Sequence, residues 1–216
     1  MSVLTLVRHG QARPFEDDSD RLTDLGARQA RALGTYWSKR GTKWDQAWSG
    51  MLERQRKTAE IVAACYHEAC LDFPALQQSE AFNEYSIPIS KEDLREVQLA
   101  PADRRNRIFQ SLIENAMSAW IGTHEFADFH RRAAEGLQLL KRNAPPGSRI
   151  AVFTSGGPIG VSVQSVLHAP PQEAIEINWR VRNCSLTEFV FSGGRISLDC
   201  FNATPHLPYD QLQSFR

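Results

Sequence analysis

The 216-residue sequence predicts an α/β fold with a largely parallel central sheet, and three observations carry that expectation. Val3 to Val7 and "RIAVFTS" (149–155) are apolar, β-branched runs without clean alternation, as in strands covered on both faces. Between such runs stand longer stretches whose apolar residues recur three and four apart, the spacing of one helix face. The two runs also end in unusual chemistry, Arg8-His9-Gly10 and Thr154-Ser155-Gly156-Gly157, and in parallel sheets ligands gather beyond the carboxyl ends of strands.

Taken in order, Thr23 is placed to N-cap a helix in which Gly26, Ala30, Leu33 and Trp37 share a face. "WDQAWS" (44–49) reads as a short strand, and 51–69 as a helix with Thr58, Val62, Cys65 and Ala69 on one stripe. A more charged middle, about 77–122, holds helical patterns around 91–99 and 102–120 and reads as an insertion or lid within one domain spanning 1–216. Phe126, Phe129, Ala133, Leu137 and Leu140 mark another amphipathic helix, ended by "APPG". Pro158 suits the first turn of a helix begun at "GGPIG", and "CSLTEFVF" and "RISLDCF", separated by "SGG", read as a hairpin.

The balance of 25 basic and 25 acidic residues gives a net charge of zero, so nothing global attracts nucleic acid or an anionic membrane. Any anion must be bound locally. No apolar stretch approaches the roughly 20 residues needed to span a bilayer. The N-terminus carries no signal-like apolar region, and four unpaired cysteines suit a reducing compartment, so a cytoplasmic location is expected. "CYHEAC" (65–70) lacks the spacing of a metal site, and neither metal nor cofactor is expected.

The local site begins at "LTLVRHGQAR". Neighbouring strand side chains point to opposite faces, so Arg8 and His9 converge only if the strand stops there, and Gly10 lets the backbone turn. The pair suits phosphate: a guanidinium offers two oxygens a planar fork, and a neutral imidazole nitrogen can attack phosphorus. A tripeptide is weak evidence alone.

Longer motifs extend it. "LVRHGQA", "LTDLGARQARALG", "SGMLERQRKTAEIV", "FNEYS", "VFTSGGPI" and "FNATPHL" occur in the order of the histidine phosphatase (phosphoglycerate mutase-like) superfamily, which the chain resembles over most of its length; 86–122 match least. The resemblance implies a three-layer sandwich of helices around the sheet. It implies that His9 is the nucleophile forming a phosphohistidine, and that Arg8 and Arg54 hold the phosphoryl oxygens. Glu84 becomes the proton donor, with Glu80 and Asp72 as competitors.

One position departs from the pattern: a second histidine is expected before the double glycine, and Ser155 stands there. Ser155 and the backbone of Gly156, at a helix start, remain as phosphate donors. A neutral hydroxyl in place of a charged imidazole predicts a slower enzyme, since one lost transition-state donor costs on the order of 10²–10³ in rate. His206 is the one histidine near a strand end that could compensate. The expected activity is metal-independent hydrolysis of a phosphomonoester, with a small phosphorylated substrate or inorganic phosphate as ligand. The stretch "QARPFEDDSD" after the first motif weighs against a mutase, and Ser155 keeps open a non-catalytic phosphate-binding or regulatory protein. Oligomeric state is left open by the sequence.

Overall fold

A computed structural model describes residues 1–13, 20–86, 90–208 and 212–215. Among these, six strands form one mixed sheet: β1 (Ser2–Arg8), β2 (Gln46–Ser49), β3 (Leu76–Gln78), β4 (Arg149–Thr154), β5 (Leu186–Ser192) and β6 (Arg195–Ala203), in the order β3-β2-β4-β1-β5-β6. β3, β2, β4 and β1 run parallel; β5 and β6 add an antiparallel hairpin on the far side of β1. Gly193 and Gly194, both with positive φ, make its turn.

Seven α-helices flank the sheet among the described residues: α1 (Asp24–Lys39), α2 (Glu53–Glu68), α3 (Lys91–Leu99), α4 (Ala102–Trp120), α5 (His124–Asn143), α6 (Gly156–Leu167) and α7 (Glu173–Arg180). The expected N-cap holds, with Thr23 Oγ1 accepting from the Gly26 N–H at 3.0 Å. The stripe on α2 is one residue shorter than expected: Thr58, Val62 and Cys65 are buried, but Ala69 is exposed because the helix ends at Glu68. β3 and α7 carried no sequence signal. The first is three mostly exposed residues, and the second has only eight.

Alternate residues of the central strands feed two different cores, which is why these runs show no polar alternation. Leu4, Leu6, Ile150 and Val152 pack with Leu137 and Leu140 of α5 and Ile159 and Val163 of α6. Val7, Ala151 and Phe153 face the other way, onto Leu33 and Trp37 of α1 and Ala59 and Val62 of α2. The result is the expected three layers. A third cluster joins Met117 and Trp120 of α4 to Phe126 and Phe129 of α5 and to Ala174 and Ile175 of α7. No helix is long and apolar enough to cross a membrane among the described residues.

Candidate active site

The register of the sheet brings the two unusual strand ends together. Arg8 pairs with Thr154, the last residues of β1 and β4, and the His9 N–H donates to the Thr154 carbonyl at 2.8 Å. β2 lies on the other side of β4 and ends level with it, Ser49 opposite Phe153, so the chain leaving β2 delivers Arg54 in the first turn of α2. Three parallel strands thus place Arg8, His9 and Arg54 at one carboxyl edge.

Gly10 is required for a reason other than turning. Its φ is not positive; instead a Cβ there would lie 2.4 Å from the Gly26 carbonyl oxygen of α1. That close approach fixes the chain after His9, and the Gly10 N–H donates to Thr58 Oγ1 at 3.0 Å. Thr58 in turn donates to the Arg54 carbonyl at 2.7 Å.

His9 is buried, and its ring orientation is fixed. Nδ1 lies 2.7 Å from the Gly10 carbonyl, which can only accept, so Nδ1 carries the proton and Nε2 is left with its lone pair. Arg54 Nε lies 3.2 Å from that Nε2 and donates to it. Burial, then the Arg54 and Arg8 charges, hold the imidazole well below its ordinary pKa, against the opposing Gly10 carbonyl. The ring is therefore neutral near pH 7. A nucleophilic nitrogen needs that state.

Arg54 is held from behind by Asp20, whose Oδ1 accepts from Nη1 at 2.8 Å. The same carboxylate accepts from the Glu53 N–H at 2.7 Å, at the positive end of α2. The Arg8 guanidinium donates through Nη1 to the Val181 carbonyl. Glu84 reaches the start of α6, where the Gly157 N–H donates to its Oε1 at 3.1 Å. Burial pushes the Glu84 carboxyl up, opposed by Arg54, Arg8 and the Gly157 and Tyr85 N–H groups. Gly157 has to be glycine for this contact, since a Cβ there would fall 2.2 Å from Glu84 Oε1; at Gly156 it would fall 2.0 Å from Asn178 Oδ1.

Arg8, His9, Arg54 and Glu84 line one cavity of about 700 Å³. The competing acids Glu80 and Asp72 are not on its wall. Ser155 is fully buried and is also absent from the wall; Gln55 Nε2 donates to its hydroxyl at 2.8 Å and to the Phe82 carbonyl at 2.9 Å. Gly156 lies behind Asn178, and His206 packs against Tyr36 away from the cavity, with ring centroids 5.9 Å apart. Among the described residues no three or more His, Cys, Asp or Glu gather as a metal set.

Sequence reasoning missed Asp20, Gln55, Asn178 and Asn183. Asn183 Nδ2 donates to the His9 carbonyl at 3.2 Å, fixing the nucleophile's backbone from a residue 174 positions away. Nothing local marks such a partner. The stretch 14–19, part of the argument against a mutase, lies outside the described residues.

Several solved structures share this fold. A phosphoserine phosphatase mutant of Entamoeba histolytica, solved with phosphoserine, superposes with a TM-score of 0.67 at 22% identity, covering 96% of this chain and 100% of its own. Bacillus stearothermophilus YhfR gives 0.68 at 20%, covering 95% and 99%. A phosphoglycerate mutase from Bacillus anthracis gives 0.66 at 18%, covering 93% and 92%. The mitochondrial serine/threonine-protein phosphatase Pgam5 of Drosophila yakuba is 36% identical over 61 residues, 27% of this chain, and the chain spans only 21% of that relative's length. The family model described as histidine phosphatase superfamily (branch 1) matches residues 4–204, nearly the whole sequence, and the chain belongs to that superfamily.

Proposed function

We propose that the protein is a phosphatase that hydrolyses a phosphomonoester through a phosphohistidine on His9. One observation carries this reading: a buried, neutral imidazole, its proton fixed on Nδ1, shares a cavity wall with two guanidinium groups and a carboxyl of raised pKa. In the first step Nε2 attacks phosphorus, the bond from phosphorus to the ester oxygen breaks, and Glu84 gives its proton to the departing alkoxide. The charge gained by the ring is shared with the Gly10 carbonyl through Nδ1–H. In the second step water attacks phosphorus, Glu84 takes its proton, and the phosphorus–nitrogen bond breaks to release phosphate.

Arg8 and Arg54 hold the equatorial phosphoryl oxygens, where negative charge concentrates in a loose transition state. Asp20 keeps Arg54 in place through Nη1, while Nε points toward His9, so the guanidinium stands beside the nucleophile. Ser155 and Gly156, expected as phosphate donors, are both absent from the cavity wall, and Ser155 is fully buried with its hydroxyl accepting from Gln55, so this reading rests on Arg8 and Arg54 for the phosphoryl oxygens. Phosphatases of the same fold act on small phosphorylated compounds, as in the Entamoeba phosphoserine phosphatase, and a ligand of that size fits the cavity here.

The buried Ser155 also favours a second reading, a phosphate-binding protein without turnover. Release of phosphate from an aryl phosphate by the wild type and by His9→Ala separates the two. Turnover lost by on the order of 10³-fold or more in His9→Ala supports the nucleophile. Phosphate binding with no turnover in the wild type would give the second reading precedence.

A further inference from the structure

The cavity is far larger than a phosphoryl group, and its remaining wall has a definite chemistry. Phe109 and Ile113 stand four residues apart on one face of α4, and Trp179 of α7, Phe215, Ala12 and the Tyr85 ring make up the rest of the apolar lining among the described residues. Phe109 is 7% exposed and Phe215 45%, so this lining runs from the buried end, where His9 sits, to the surface. At the exposed edge the charged residues are Glu114, Glu176 and Arg180. Glu176 and Arg180 are four apart on α7 and share a face, which leaves Glu114 as the unbalanced charge. Among the described lining residues, Arg8 and Arg54 stand at the phosphoryl end and Arg180 stands at the rim beside two carboxylates, while Arg182, outside the lining, places its guanidinium 5.2 Å from the centre of the Phe215 ring.

Resting on the phosphatase reading, we propose that this wall selects the alcohol part of the substrate: a large, ring-bearing apolar alcohol esterified by a single phosphate. Such a group seats on Phe109, Ile113, Trp179 and Phe215, removes their apolar surface from water, and covers His9 and Glu84 from solvent. A small ester carrying a carboxylate leaves the apolar wall wet and brings its second charge to Glu114 and Glu176.

The test uses 2-(1-naphthyl)ethyl phosphate, ethyl phosphate and 3-phosphoglycerate, all of which release a primary alkoxide, so that leaving-group chemistry does not mask recognition. The expected kcat/KM is at least about tenfold higher for the naphthyl ester than for either small ester, the scale set by one or two methylene-sized apolar contacts. Trp179→Ala, and Phe215→Ala at a position 45% exposed, should lower the naphthyl value by about tenfold and leave ethyl phosphate within about threefold. A preference for 3-phosphoglycerate, or equal losses on all esters, overturns the inference. If no ester is hydrolysed, the phosphatase reading falls instead, and calorimetry then decides the inference separately. Tighter binding of 2-(1-naphthyl)ethylphosphonate than of 3-phosphonopropionate supports it; equal or weaker binding overturns it.

Discussion

At the buried end of the cavity Arg8 and His9 stand at the end of β1 and Arg54 in the first turn of the helix that follows β2; much of the rim hangs from α4 and α7. Strand ends are fixed by register. Arg8 opposite Thr154 and Ser49 opposite Phe153 leave little freedom in where His9 and Arg54 begin. The helical wall is fixed by packing of Met117, Trp120, Ala174 and Ile175 in a separate cluster and by single contacts such as Asn178 Nδ2 donating to the Tyr85 hydroxyl at 2.9 Å. On the proposed reading, chemistry rests on the part of the fold least able to drift, and substrate choice on helices outside the sheet.

The largest expected effect within this contrast is at Arg54. Arg54→Ala removes a phosphoryl donor and the group on His9 Nε2, and kcat for aryl phosphate hydrolysis should fall on the order of 10²–10³. Asp20→Asn keeps the hydrogen-bonding shape but removes the charge behind Arg54, so its loss should be the smaller of the two. A larger loss for Asp20→Asn would mean that the carboxylate takes part directly.

Gly157→Ala probes the same end by crowding rather than deletion. The added methyl meets Glu84 Oε1, so the carboxyl must leave the α6 N–H. Turnover should drop by at least tenfold, the lower range for misplacing an acid–base group, while overpacking lowers stability by about 1–3 kcal/mol. Thermal unfolding beside kcat separates the two effects. An active Gly157→Ala enzyme would remove Glu84 from the chemistry and return Glu80 and Asp72 to consideration.

The pH profile sharpens the assignment further. His9 must be neutral to attack and its pKa is depressed, so the acid limb of kcat/KM should lie below the usual histidine value near 6.5. Glu84 must begin protonated and its pKa is raised, so the alkaline limb should lie above the usual carboxyl value. Glu84→Gln should remove the alkaline limb, with a loss that shrinks for esters whose leaving group needs no proton.

How much of this could be read in the sequence follows from the same contrast. The strands other than β3, the Thr23 cap and the α5 stripe were legible because burial on two faces leaves an unbroken apolar run and burial on one face leaves a period in the chain. His9, Arg8 and Arg54 were legible because each ends or begins an element inside an ordered motif. Gln55 and Ser155 are 100 residues apart, and their hydrogen bond exists only once α2 and β4 are packed. That contact turns the Ser155 hydroxyl into the protein rather than toward the cavity. The cavity wall was illegible for a related reason: Phe109 and Ile113 look like core residues of any amphipathic helix, and only the cavity beside them distinguishes them.

His206 lies outside the cavity, and the smallest predicted effect tests whether it belongs there. Burial pushes its pKa down to about 4, against an opposing Cys184 backbone contact. In the unfolded chain the same imidazole titrates near 6.5. Between about 4 and 6.5 the unfolded state binds a proton that the native state refuses, so stability falls as pH falls through that window. His9 acts in the same direction, since its pKa is also depressed. His206→Phe keeps a ring against Tyr36 and removes one titration, so the slope of stability against pH over this window should become shallower but stay positive. Aryl phosphate turnover at pH 7 should be unchanged in that variant. If turnover collapses while the slope stays as in the wild type, His206 acts on the phosphoryl group after all, and the missing second histidine has been replaced from the other side of the sheet's edge.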